Sequence, residues 1–193
     1  MTDILLEIFG VLTALLYLYL QIKQRWIMWI VGILSSSVYV YVCITAKLYA
    51  ESGLNAYYAL VGFYGLWCWR NRNANAGAEP KTLRVTRIPP RLTIILALIA
   101  LALWFLLRHI LATYTDSPVP SADAFVASLS IVGTYMLAKK FLENWHVWIV
   151  ADAAASALYF YKDKYLTAGL YIFYTILAFY GLWRWRRDMK LAS

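Results

Sequence analysis

The sequence is short of charge, of cysteine and of histidine, and each shortage removes a class of protein. Only 15% of its 193 residues are charged, against 63% hydrophobic and 17% aromatic. With a mean hydropathy of +0.60, the chain cannot dress a soluble domain in polar side chains, and a bilayer is the solvent that suits it. The two cysteines, Cys43 and Cys68, sit inside apolar segments without CxxC spacing. That excludes a disulfide framework and a metal knuckle. They read as small buried hydrophobes. The two histidines, His109 and His146, belong to no HExxH pattern, and neither a GxSxG elbow nor a Walker loop occurs. No catalytic residue, metal site or cofactor is therefore expected, and the chain does not read as an enzyme. Mid-span carboxylates are also scarce, which leaves no ladder for a proton relay and no machinery for ATP hydrolysis. Met1-Thr2-Asp3-Ile4 lacks the basic region of a signal peptide, so the first span is expected to be retained.

What the sequence does hold is a repeat. Trp26-Ile27-Met28-Trp29-Ile30-Val31 returns as Trp145-His146-Val147-Trp148-Ile149-Val150, Val38-Tyr39-Val40-Tyr41 as Leu158-Tyr159-Phe160-Tyr161, and Phe63-Tyr64-Gly65-Leu66-Trp67 as Phe179-Tyr180-Gly181-Leu182-Trp183. The separation is 119 residues at the start (145 minus 26) and 116 at the end (179 minus 63), which predicts two copies of one unit with small insertions. Internal repeats of apolar segments are a signature of transporters.

Counting runs long enough to cross a bilayer, about 20 apolar residues each, predicts seven spans. They run near 4–22, 26–49, 52–69, 92–107, 125–138, 145–161 and 166–185. Residues 1–70 form the first three-helix repeat, 71–120 a cytoplasmic loop, a lipid-facing linking helix and an external loop, and 121–193 the second repeat. The fold class is an all-α membrane protein of seven transmembrane helices, arranged three, one, three. The net charge of +8 is spread over span ends instead of forming one patch, so it reads as topology and not as a nucleic-acid surface. Lys23, Arg25, the 70–91 loop, Lys139, Lys140 and the basic C-terminus outnumber Lys47, Arg108, Lys162 and Lys164 on the other side. The richer side is cytoplasmic, which puts the N-terminus outside and the C-terminus inside. A single span between the repeats makes them parallel.

The chemistry is concentrated in the sixth span. Steps of three and four put Trp145, Trp148, Asp152, Ser156 and Tyr159 on one face, and an Asp in an apolar helix is costly without a partner. The first copy, aligned on its tryptophans, offers Trp26, Trp29, Ile33 and Ser37. If both faces look inward, they line an aromatic path with one carboxylate at mid-depth. That lining suits a flat cationic solute, held by ring stacking, by π faces and by charge-assisted hydrogen bonds to Asp152. The candidate substrate residues are Trp29, Ser37, Asn55, Tyr58, Trp148, Asp152, Ser156, Tyr159, Tyr171 and Tyr174, with Trp26 and Trp145 as gates. Glu7, near a span start, is a weaker candidate. Tryptophan and tyrosine also gather at membrane interfaces, and serines serve helix packing.

The run Trp145-x-x-Trp148-x-x-x-Asp152, with Leu158-Tyr159-x-Tyr161-Lys162, Asn55-x-Tyr57-Tyr58, Tyr64-Gly65 and the loop Thr115-Asp116-Ser117-Pro118-Val119-Pro120, resembles the PnuC family of bacterial vitamin transporters. The resemblance covers nearly the whole chain. It implies two three-helix bundles joined by a linking helix, similar to the SWEET sugar transporters, in the bacterial inner membrane. It further implies facilitated diffusion of nicotinamide riboside, or of thiamine or riboflavin in related branches, with trapping by a cytoplasmic kinase. Trimers are associated with the family. Ile33, opposite Asp152 in this alignment, departs from symmetry. A non-transporting membrane scaffold is the alternative from another class.

Overall fold

In the computed structural model, residues 2–45, 49–71 and 83–191 are described. Seven helices account for nearly all of them: α1 Thr2–Ile22, α2 Ile27–Thr45, α3 Tyr49–Asn71, α4 Pro90–Tyr114, α5 Pro120–Ala138, α6 Asn144–Tyr161 and α7 Tyr165–Leu191. The side chain of Glu7, the residues around Lys47, and most of the 70–91 loop lie outside the described set. Four helices, α2, α4, α5 and α7, are each long and apolar enough to cross a membrane. Their outward faces carry Leu34, Val38, Ile94, Leu98, Phe105, Ile172 and Ile176. Helices suit that setting because each satisfies its own backbone hydrogen bonds.

The chain divides into two compact units, Met1–Arg84 and Val85–Ser193. The second holds four helices, because α4 packs along α5. Leu96 of α4 is buried with Val132 and Met136 of α5, and Leu92, Ala100, Leu103 and Val147 close around them. Trp104 Nε1 donates to the Ser121 carbonyl at 2.9 Å. One face of α4 thus belongs to the second unit's core, while most of the helix, Ile94, Leu98, Leu101 and Phe105 included, is exposed. It is also longer than expected, since Pro89-Pro90 starts it at a position where proline's missing N–H costs nothing, and it continues through Arg108 and His109 to Tyr114. Pro120 starts α5 in the same way, ahead of the expected Phe125.

The turns reveal the register of the repeat. After α1, the Gln24 N–H donates to Gln21 O and the Arg25 N–H to Leu20 O; after α5, the Lys140 N–H donates to Leu137 O and the Phe141 N–H to Met136 O. Gln24 and Lys140 carry φ of 55° and 59°. Both are Schellman caps with a left-handed C′ residue, and they lie 116 residues apart (140 minus 24). Lys140 is also buried, which pushes its ammonium down to about 8, with Asp188 acting in the opposite sense. Its carbonyl accepts from Thr86 N–H at 3.2 Å, and Thr86 O accepts from Leu142 N–H at 2.9 Å. The segment entering α4 is thereby strapped to the α5–α6 turn.

The cores agree with this register. Trp29 of α2 lies edge to face with Trp69 of α3, centroids 5.8 Å apart, and Trp145 of α6 with Trp185 of α7 at 5.4 Å. Each leading indole lies over a glycine. A Cβ built on Gly65 would stand 2.4 Å from Trp29, and one on Gly181 would stand 2.4 Å from Trp145. Every equivalent pair is again separated by 116 (145 minus 29, 181 minus 65, 185 minus 69). The alignment of Trp26 with Trp145 and Trp29 with Trp148 is therefore corrected by three residues: Trp29 matches Trp145.

Gly181→Ala and Gly65→Ala are each expected to cost about 1–3 kcal/mol through overpacking, lowering the melting temperature of detergent-purified protein. Gly169→Ala, also in α7 but with nothing within 4 Å of the new Cβ, is expected to leave it unchanged or raise it.

Candidate functional site

With the register fixed, the faces of the two units can be compared position by position. On α6 the stripe reads Trp148, Asp152, Ser156, Tyr159; at the same places α2 carries Gly32, Ser36, Val40 and Cys43. On α7, Tyr171 and Tyr174 answer Asn55 and Tyr58 of α3. The second unit thus presents aromatic and acidic groups where the first presents mostly small ones.

Within the second unit the structure gathers most of the expected residues. Trp148 packs against α5 at Gly133, where an added Cβ would stand 3.4 Å from its Cε2, and its Nε1 is buried without a hydrogen-bond partner among the described residues. One turn further, Asp152 is only 8% exposed, and among the described residues it takes neither a hydrogen bond nor an ion pair. Tyr159 stacks on Tyr171 with centroids 5.3 Å apart and planes at 16°. Tyr171 meets Tyr174 edge to face at 5.6 Å. The Ser156 hydroxyl donates to the Ala168 carbonyl of α7 at 3.1 Å. It is a tie between helices, and its donor is already spent.

Trp29 is 1% exposed and Trp145 0%. Tyr17 and Trp69 flank the first, Trp185 the second. In this structure both indoles are packed within their own units. Ser37 is exposed on α2, whereas Ser36 is buried. Trp26 stays at the surface with the Arg70 guanidinium 5.7 Å over its ring.

In the first unit Asn55 and Tyr58 are half-buried on α3, and Tyr58 leans on Tyr57 with centroids 5.7 Å apart. Ser36, which the sequence offers only as part of the run Ser35-Ser36-Ser37, is the residue that the 116-residue spacing makes equivalent to Asp152. At the opposite end of the second unit, the Thr115–Pro120 motif organises a cap on α5. Ser117 donates to Asp123 Oδ2 at 2.5 Å, and Lys162 Nζ binds both Asp123 oxygens at 2.7 and 3.0 Å. That half-buried pair joins the start of α5 to the end of α6. Among the described residues no cluster of His, Cys, Asp and Glu is arranged to hold a metal.

Apolar-skinned helices long enough to cross a membrane, in two units that repeat one set of turns and packing nodes, define a multi-pass membrane protein. Residues 4–187 match the model of the family described as Nicotinamide mononucleotide transporter, and the chain belongs to that family. It is 27% identical over 84% of its length to a nicotinamide riboside transporter PnuC of Neisseria mucosa, but spans only 64% of that relative. With the PnuC of Escherichia coli it shares 20% identity over 93% of this chain and 84% of the other. With the riboflavin/roseoflavin transporter RibM of Streptomyces davaonensis it shares 27% over 95% and 87%. The crystal structure of the vitamin B3 transporter PnuC superposes with a TM-score of 0.76 over the whole chain and 85% of its own, at 24% identity. That likeness shows the fold.

Ser36→Leu is expected to destabilise the protein by about 1–3 kcal/mol, since a larger side chain must enter a packed position. Ser37→Leu should leave the melting temperature within about 1 °C, because an exposed site has no packing to disturb. Equal effects would contradict the register.

Proposed function

We propose that the chain is a uniporter for a water-soluble cationic vitamin, with nicotinamide riboside as the first substrate. The observation that carries this reading is Asp152, a buried carboxylate without a partner among the described residues, on a stripe it shares with Trp148, Ser156 and Tyr159. An ionised carboxylate in such a place is costly until a cation or hydrogen-bond donor arrives. A pyridinium ring supplies the positive charge, and flat rings stack on indole and phenol faces. Trp148, Asp152, Tyr159, Tyr171 and Tyr174 are the contacts we propose within the second unit; Asn55 and Tyr58 are candidates within the first. Trp26 remains the candidate gate.

The same stripe argues against the phosphorylated vitamin. A phosphate calls for Lys, Arg or clustered N–H donors. The one buried Lys or Arg among the described residues is Lys140, in the α5–α6 turn and away from the stripe. The names of two relatives, PnuC of Neisseria mucosa and of Escherichia coli, support the riboside. Thiamine, another cationic aromatic, fits the same chemistry. The likeness to RibM favours riboflavin as a second reading, although its uncharged isoalloxazine would offer Asp152 hydrogen-bond donors and no positive charge.

Neither stripe carries a second carboxylate for proton coupling, so the substrate moves down its own gradient. Trapping by a cytoplasmic kinase would keep that gradient inward. We place the seven helices in the bacterial inner membrane as three, one and three, in the SWEET-like manner, with the N-terminus outside and the C-terminus in the cytoplasm. The excess of Lys and Arg at the cytoplasmic span ends supports that orientation.

Calorimetric titration of the detergent-purified protein with nicotinamide riboside, thiamine and riboflavin tests the reading. Riboside is expected to bind, and Asp152→Asn to weaken it about tenfold or more, because a hydrogen bond to a charged group contributes about 1.5–3 kcal/mol. Riboflavin binding alone, indifferent to Asp152→Asn, would favour the RibM-like substrate. Binding of none would favour a non-transporting scaffold.

A further inference from the structure

At about 1.5 Å per residue, the 27 residues of α7 reach about 40 Å, about 10 Å more than the hydrocarbon core of a bilayer. The excess amounts to about two turns, and the last two turns hold Arg184, Arg186, Arg187 and Lys190. α7 thus carries a cationic end past the apolar layer. One of its stripes is graded in the order of a phospholipid. Steps of three and four join Phe173, Ile176, Tyr180, Trp183 and Arg187. The first four are exposed, whereas Trp185, two residues from Trp183, is fully buried against Trp145. The exposed stripe runs from apolar through aromatic to cationic.

Its polar end is organised. Tyr180 stacks on Trp183 with centroids 5.7 Å apart and planes at 30°, and the Arg187 guanidinium lies over the same indole at 5.0 Å. Stacking of this kind holds the guanidinium in place without using its N–H donors. Asp188 approaches Arg187 Nε only to 3.9 Å, and the guanidinium side chain is half exposed, so that pair contributes little. One turn earlier on the same face, Arg184 is half-buried, and its Nε has no hydrogen-bond partner among the described residues. Two guanidiniums three residues apart on one face offer their donors to one anion.

The first unit supplies the contrast. Its aromatic pair recurs at the 116-residue spacing: Tyr64 stacks on Trp67 with centroids 6.3 Å apart and planes at 27°, and Trp67 is exposed as Trp183 is. The two arginines do not recur. Cys68 stands for Arg184 and Asn71 for Arg187, while Arg70, the counterpart of Arg186, lies over Trp26. An aromatic belt and an orienting charge are needed by both copies, and both copies have them. The guanidinium pair beside the exposed rings belongs to the second copy alone, so neither need accounts for it.

We propose that Trp183, Arg184 and Arg187 bind the phosphate of an anionic phospholipid whose acyl chains lie along Ile176 and Phe173. Guanidinium and phosphate meet through charge-assisted, bidentate hydrogen bonds. The apolar part of the stripe makes the occupant a lipid and not free phosphate. The site lies within the second unit and is independent of the substrate carried.

The test is native mass spectrometry of the full-length protein, released from detergent that contains equal amounts of dioleoyl phosphatidylglycerol, phosphatidylethanolamine and phosphatidylcholine. Wild type is expected to retain phosphatidylglycerol about fivefold or more over each zwitterionic lipid, the contribution of about one basic side chain near an anionic surface. Arg184→Gln combined with Arg187→Gln should remove most of that preference. Arg87→Gln combined with Arg91→Gln takes the same charge from the segment strapped to the α5–α6 turn, at the same end of the unit, and should leave the preference within about twofold. Equal retention of the three lipids by wild type overturns the proposal. Equal losses in the two double variants also overturn it, since they mark a diffuse positive potential. So does an oligomer that leaves detergent free of lipid, because a second copy then covers the stripe. The comparison of lipids on wild type holds even if the variants do not fold, and a wild type that binds riboside without lipid preference overturns this proposal alone.

Discussion

The packing of an indole over a glycine is the constraint on which both units depend. Trp29 over Gly65 and Trp145 over Gly181 bring α2 onto α3 and α6 onto α7 so closely that no Cβ fits between them. A large ring in a helix interface needs space on the opposing backbone, and inside a membrane packing of this kind does the work that the hydrophobic effect does in water. Each node is completed by a second tryptophan set edge to face, a geometry that aromatic quadrupoles favour. Once these rings are spent on packing, the polar stripe one turn further along α6 is left to meet something else.

That separation explains how one repeat can serve as scaffold twice and as a binding face unequally. The turns, the nodes and the αL residues recur at one fixed spacing, so the two three-helix cores are built alike. Between them the equivalent positions of the stripe differ: Gly32 against Trp148, Ser36 against Asp152, Cys43 against Tyr159. The small residues of the first unit are themselves packed, Ser36 and Cys43 buried and Gly32 covered by the Tyr17 ring. The second unit holds a carboxylate and three phenols, two stacked and the third edge to face, and the first holds hydroxyls with an amide.

Much of this was legible from residues alone. The seven helices, the two copies, Asp152 and the Tyr159, Tyr171 and Tyr174 cluster follow from hydropathy and spacing, because apolar length and helical periodicity are strong signals in a bilayer. The register was not. Trp-x-x-Trp-Ile-Val matches itself after a slip of three residues, nearly one helical turn, which turns the face by only about 60°. Tryptophan composition cannot resolve so small a rotation. Backbone geometry does, through the Schellman bonds of Gln24 and Lys140 and through the glycine beneath each indole. The slip set Ser37 against Ser156 and Ile33 against Asp152, where the 116-residue spacing sets Val40 and Ser36. The length of α4 was underestimated because Arg108 and His109 interrupt an apolar run without interrupting a helix, and its attachment to α5 rests on side-chain packing of Leu96, Val132 and Met136 that no local pattern announces.

The central claim is passive movement of a cationic nucleoside through this chain, and uptake into proteoliposomes tests it most directly. Purified protein reconstituted without nucleotide or ion gradient, and preloaded with unlabelled nicotinamide riboside, should accumulate labelled riboside transiently by counterflow, and the label should settle to equal concentrations inside and out. Uptake no faster than in protein-free liposomes, or uptake that appears only with an imposed ion gradient, would contradict the account.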